Sequence, residues 1–225
     1  MENKLKFGYI DEDEHQVRKY KRRFREFGIE IIGYDFFEGM TLHQLMEQVY
    51  NSDIDLLLID YKLDESNKVF FNGEEVEKEI YDKRPLFPCI IFTNKRDDAE
   101  NYVEDLKIIF SKDEIPSKED EEYDRNRTER FIKILISSVV RYKGRIDNRK
   151  NRISEILKKG EEKGLNIVDE DNLIKLQREL GDLDKTKRNE VPEKLISSEK
   201  LEDLSETRKK AEDFLKSLIK KNKEK

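Results

Sequence analysis

Asp11-Glu12-Asp13-Glu14, Asp60, Thr93 and Lys112 are the residues of this chain whose types could do chemistry together. Each follows a short apolar run. Phe7-Gly8-Tyr9-Ile10 precedes the acidic four, Leu56-Leu57-Leu58-Ile59 precedes Asp60, Cys89-Ile90-Ile91-Phe92 precedes Thr93, and residues 107–110 lie just before Lys112. Clustered carboxylates repel one another and hold on to protons unless a cation sits among them. An all-oxygen set suits Mg2+, which is octahedral and keeps several of its waters. A carboxylate is also a competent nucleophile, able to form an acyl phosphate. A metal and an ammonium group together can neutralise a phosphoryl group in transit. The expectation is that Asp60 attacks, that Asp11 and Glu12 join it in holding Mg2+, and that Thr93 and Lys112 bind the phosphoryl oxygens. Taken singly, each is an ordinary strand-end residue, and 11–14 alone reads as an acidic helix start favoured by the helix dipole. Their order along the chain makes them a set.

What must position them is an alternation of strands and helices. Residues 6–10 read as a strand, 17–27 as a helix ending near Gly28, and 29–34 as a second strand. Thr41 can cap a helix through residue 50, and 54–59 is a nearly continuous apolar run, as expected of a strand buried on both faces. Residues 73–81 read as a helix, 88–92 as a buried strand, 97–103 as a short helix and 107–110 as a fifth strand, with a further helix starting near Glu121. Five such alternations predict an open parallel α/β sheet with helices on both faces. Ligands of such sheets bind beyond the carboxyl ends of the strands, which is where the candidate residues fall. Asp11 and Glu12 are expected to face solvent there. The single cysteine, Cys89, reads as a small core residue.

With those residues in view, the chain resembles the receiver domains of response regulators in two-component signalling. Ile10-Asp11-Glu12, Leu58-Ile59-Asp60, Asn72-Gly73, Phe92-Thr93-Asn94 and Phe110-Ser111-Lys112 carry the resemblance, over about residues 4–142. It implies a flavodoxin-like, doubly wound, five-stranded fold for residues 1–143. It also implies Mg2+-dependent phosphorylation of Asp60 by a histidine kinase or other phosphodonor, with the main-chain carbonyl of Lys62 as a further metal ligand. The chain would then be a phosphoacceptor and not an enzyme, beyond promoting its own labelling and hydrolysis. Four positions depart from the family pattern. Asp113 stands where receivers have a proline after the lysine, which leaves Lys112 free to aim differently. The loop after Asp60 is longer and lacks Met-Pro. Asn94 replaces a small residue, and Ile109 occupies the position of the aromatic switch. Lys62 and Lys95, two residues beyond Asp60 and Thr93, border the path of an attacking water.

The second half, 144–225, contains no strand signal. Ile132, Val139, Ile146 and Ile153 recur every seven residues, with Leu135, Tyr142 and Ile156 three residues on and Arg149 interrupting that second series. The pattern predicts one helix over about 123–159, punctuated by Gly160 and Gly164. A second helix is expected after Asp169, with Leu173, Leu176, Leu180 and Leu183 on one side, and a third after Ser198. β-branched residues at one heptad position suit a two-stranded coiled coil; the same stripe could instead bury itself against the sheet and the later helices. This all-α extension is read as a region that contacts a protein partner or a second copy of itself.

Charge divides along the chain. Residues 1–120 hold 18 basic and 29 acidic side chains, and 121–225 hold 28 basic and 23 acidic ones. An acidic front half argues against nucleic-acid contact there. The basic stretch 141–152 fits the outer face of a long helix. The leading function is a phosphorylation-responsive signalling adaptor. The alternatives are a DNA-binding regulator with an atypical helical output and a degenerate receiver acting as a constitutive partner. No run reaches the roughly 18 apolar residues of a membrane span, and the start lacks a signal peptide's apolar core, so a cytoplasmic location is expected.

Overall fold

The computed structural model describes residues 4–117 and 123–183. Five parallel strands form one sheet in the order β2-β1-β3-β4-β5, with β1 Lys6–Ile10, β2 Glu30–Gly33, β3 Leu56–Ile59, β4 Cys89–Thr93 and β5 Ile109–Ser111. This is the flavodoxin-like doubly wound order. Phe7 lies opposite Ile31 on one side and Leu56 on the other. Ile91 lies opposite Ile59 and Ile109. That register brings the ends of β1, β3, β4 and β5 to one edge.

The helices start where side chains can satisfy free backbone N–H groups. α1, Glu14–Arg25, begins three residues earlier than the periodicity suggested, because the Asp13 carboxylate accepts from His15 N at 2.8 Å. α2, Leu42–Asn51, is closed by a capping box between Thr41 and Gln44, a pairing that removes two unsatisfied donors. α3 spans Gly73–Lys83 and the short α4 Arg96–Glu100. Strand β3 is two residues shorter than the apolar run. Asp55 N donates to Lys6 O at 2.7 Å and its carboxylate takes Lys6 N at 3.0 Å, so Ile54 is buried outside the ladder. Residues 106–108 wind into a 3-10 turn capped by Asp105, which delays β5 to Ile109.

One face of the sheet packs an aromatic cluster. Tyr9 meets Tyr20 edge-on at 5.6 Å between ring centroids, Tyr20 meets Phe92 at 5.0 Å, and Phe92 stacks on Phe131 at 6.1 Å. Such pairs contribute about 0.5–1.5 kcal/mol beyond the area they bury. Phe131 comes from α5, Arg125–Lys163, whose Ile132, Leu135 and Val139 complete the same core. Cys89 is only half-buried, at the start of β4, and so lies at the margin of the core.

The chain divides into two compact units after Tyr142. Within the second, Ile146, Ile153 and Leu157 of α5 are buried, as are Leu173, Leu176, Leu180 and Leu183 of α6, Ile167–Leu183. Arg149 Nε lies 2.9 Å from Glu179 Oε2, and Lys159 Nζ lies 2.7 Å from Asp169 Oδ2. Pairing 149 with 179 and 159 with 169 makes an antiparallel hairpin. The isoleucine stripe is therefore covered within one chain, and Arg149, which broke the apolar series, is an inter-helix ion pair. Gly160 does not interrupt α5; it is a buried helical residue. Gly164 ends the helix at φ +73, donating to Gly160 O at 2.8 Å, the left-handed stop that glycine supplies most cheaply. α6 begins before Asp169 because Asn166 Oδ1 caps it by accepting from Asp169 N at 2.8 Å. The expected third helix lies outside the described residues. Among the described residues, no helix is long and apolar enough to cross a membrane.

Candidate functional site

The carboxylates of Asp11, Glu12 and Asp60 gather at the sheet edge, with one oxygen of each within 4.8 Å of the others. Asp11 and Glu12 leave the end of β1, and Asp60 leaves β3, where its N–H donates to Ile10 O at 2.8 Å. Lys112 follows β5 directly, and its ammonium lies 2.9 Å from Asp11 Oδ2 and 3.2 Å from Asp60 Oδ2. Thr93 ends β4. Its hydroxyl accepts from Lys95 N at 3.1 Å and lies close enough to the Asp60 carboxylate to pull its pKa down. The second Asp60 oxygen accepts from Tyr61 N at 2.9 Å. Thr93 and Lys112 are 1% and 7% exposed, so a charge on Asp60 is met by partners already stripped of water.

Two expectations are corrected. Asp11 does not face solvent: it is 3% exposed. Its carboxylate accepts from the Tyr9 hydroxyl, from Lys112 and, at 2.9 Å, from Asp13 N. Glu12 is half-buried. Asp113 does not turn Lys112 away, because its backbone forms a small turn with Ser111, N–H to Oγ at 3.1 Å, while the lysine side chain runs inward. Among the described residues no peptide bond is cis.

Burial and like charge raise the pKa values of Glu12 and Asp60. Glu12 is pushed up to about 7, first by burial and then by Asp11 and Asp60, against the pull of its own backbone hydrogen bond and of Lys112. Asp60 lies above the usual carboxylate value, raised by burial and Asp11 although Lys112 and Thr93 pull it down. For Lys112, burial disfavours the ammonium, but Asp60 and Asp11 outweigh that and raise its pKa. Glu12 Oε2 is buried with no hydrogen-bond partner, the kind of atom that costs about 1–3 kcal/mol if left alone. Hard oxygens, crowded acids and one unmet oxygen fit a small divalent cation. The Asp11, Glu12 and Asp60 carboxylates are the groups that would hold such an ion, supplying the oxygen ligands that Mg2+ prefers.

The flanking lysines are engaged outward. Lys62 Nζ lies 3.7 Å from Asp64 Oδ1, and Lys95 Nζ pairs with Glu65. Ile109 is buried, and Phe110 beside it packs on Phe131 at 5.2 Å. The longer loop after Asp60 is well tied. Asn72 Oδ1 accepts from Leu63 N at 3.0 Å, and Leu63, Val69 and Phe71 are buried. Gly73 N donates to Tyr61 O at 2.8 Å, and a Cβ on Gly73 would sit 2.5 Å from Asp60 O and 2.9 Å from Tyr61 Cα. Two contributors escaped the sequence reading: Tyr9, which reads as core, and the contact of Gly73 with the Asp60 backbone. An inward strand residue two positions before Asp11 was the available signal for Tyr9.

No family model and no curated protein matches this chain. Solved structures do. Response regulator TrrA from Thermotoga maritima, in complex with Mg2+-BeF, is 16% identical over 58% of this chain and 98% of its own, with a TM-score of 0.40. A response-regulator receiver domain protein from Clostridium thermocellum is 15% identical over 62% and 97%, with a TM-score of 0.41. A CheY-like receiver domain protein from Methanospirillum hungatei is 16% identical over 60% and 95%, with a TM-score of 0.40. The five-stranded parallel order rests on this chain's own hydrogen-bond ladders, and these three solved structures to which it is similar are a response regulator and two receiver domain proteins.

Proposed function

We propose that the first unit is a receiver that accepts a phosphoryl group on Asp60 and that the helical second unit carries the output. The observation that supports this most is the Lys112 ammonium seated between Asp11 and Asp60, with the unmet Glu12 oxygen beside them. An Asp60 oxygen attacks phosphorus, the P–N bond of a donor phosphohistidine or the P–O bond of a small acyl phosphate breaks, and the leaving group keeps the electron pair. Asp11, Glu12, Asp60 and the Lys62 main-chain carbonyl would hold Mg2+, which would supply positive charge to offset that of the phosphoryl oxygens. Lys112 then moves from the carboxylates to a phosphoryl oxygen, and Thr93 donates to another. The output is a protein contact, supported by Ile167, Val168 and Ile174 standing exposed on α6. A cytoplasmic site of action goes with this reading.

Incubation with acetyl phosphate and Mg2+, followed by intact-mass measurement, tests it. Wild type should gain one phosphoryl group, and Asp60→Asn should gain none. Equal labelling of the two would remove Asp60 from the role.

A further inference from the structure

The Lys112 ammonium reaches Asp60 from a main chain that has just left β5 and entered a three-residue 3-10 turn, Lys112–Glu114. Turns this short have poor hydrogen-bond geometry and hold little by themselves. Two side chains of α1 grip this one. The Tyr20 hydroxyl donates to the Lys112 carbonyl at 3.2 Å, and the Arg23 guanidinium donates to the Ile115 carbonyl. The Lys112 carbonyl also accepts from Ile115 N at 3.3 Å, so both ends of the turn are fixed through α1.

Tyr20 is 1% exposed, with its ring held edge-on by Tyr9 and Phe92. The ring cannot swing, and the hydroxyl meets the carbonyl of the very residue whose ammonium sits on Asp60. We propose that Tyr20 is a positioning residue for phosphoryl capture: its hydroxyl fixes the Lys112 main chain and so holds the ammonium on Asp60. The inference rests on the reading of Asp60 as phosphoacceptor. It explains how Lys112 is aimed although Asp113 follows it. A long side chain pivoting on an unfixed backbone loses aim, and misplacement of about 1 Å can cost up to 10²-fold in rate.

Tyr20→Phe keeps the ring and removes only the hydroxyl. The maximal rate of labelling by acetyl phosphate should fall about tenfold. The Mg2+ concentration for half-maximal labelling should not move, because the carboxylates stay in place. NMR of isotope-labelled lysine in the metal-free protein, with the signal assigned through Lys112→Met, should show the Lys112 ammonium as a slowly exchanging resonance. In Tyr20→Phe that resonance should broaden or shift. An ammonium signal identical in the two proteins overturns the proposal, as does a rate loss accompanied by an equal shift in Mg2+ dependence. If wild type takes no phosphoryl group, the Asp60 reading falls, and the ammonium spectrum still decides whether Tyr20 positions Lys112.

Discussion

Glu12 concentrates the electrostatics of the site. Its pKa, pushed up to about 7 from an ordinary 4.5, means that the folded metal-free domain binds this proton more tightly than the unfolded chain does. The proton therefore stabilises the folded form below about pH 4.5, and that contribution is lost as pH rises to about 7. Urea unfolding midpoints in chelator should fall across this window, and Glu12→Gln should flatten the fall; equal slopes would show that Glu12 is not the titrating group. Mg2+ competes with the same proton, so its affinity should climb over the same range. The acids themselves were legible in the sequence, because a charged residue directly after a continuous apolar run has few places to go but a strand end. Asp11 was misjudged because its partners, the Tyr9 hydroxyl and Lys112, come from the interior and from a residue 101 positions away, and no local pattern encodes such a pairing.

Among the elements, strands were easier to locate than their ends. Apolar runs mark where a ladder can form, but Asp55 and the Asp105 cap decide where β3 and β5 begin, through hydrogen bonds that hydropathy does not register. The α5–α6 hairpin shows the same limit. Its isoleucine and leucine stripes were legible, whereas the choice between a coiled coil and a fold-back depended on Arg149–Glu179 and Lys159–Asp169. Because Ile153 is 1% exposed inside this hairpin, Ile153→Ala should destabilise the second unit by about 2–5 kcal/mol. Circular dichroism during chemical unfolding measures this, and the loss should be the same at low and high protein concentration. A midpoint that rises with concentration would mean that the isoleucine meets a second chain instead.

At the scale of the whole molecule, the charge split along the chain acquires a location. The acidic first 120 residues include the cation-seeking edge of the sheet, while the basic stretch 141–152 begins at the last turn of the first unit. Arg141, Lys143 and Arg145 are exposed on α5, as a solvated helix face would be. The fold class was legible at this scale because five apolar runs separated by amphipathic segments admit few topologies. The path of α5 was less so: Phe131 to Val139 belong to the first core and Ile146 to Leu157 to the second unit, yet one periodicity runs through both.

The fit of Gly73 against the Asp60 backbone has a genetic consequence. Every replacement that a single base change can make at a glycine codon brings a Cβ, and any Cβ there falls 2.5 Å from the Asp60 main-chain oxygen, so the backbone must shift. A screen of random point mutants for failure to take phosphate should therefore return missense alleles at Gly73 of every accessible kind, alanine included. Those proteins would carry an untouched set of acids and lysine around an Asp60 pushed out of line. If Gly73→Ala is recovered among fully labelled clones, the backbone there is softer than its packing indicates.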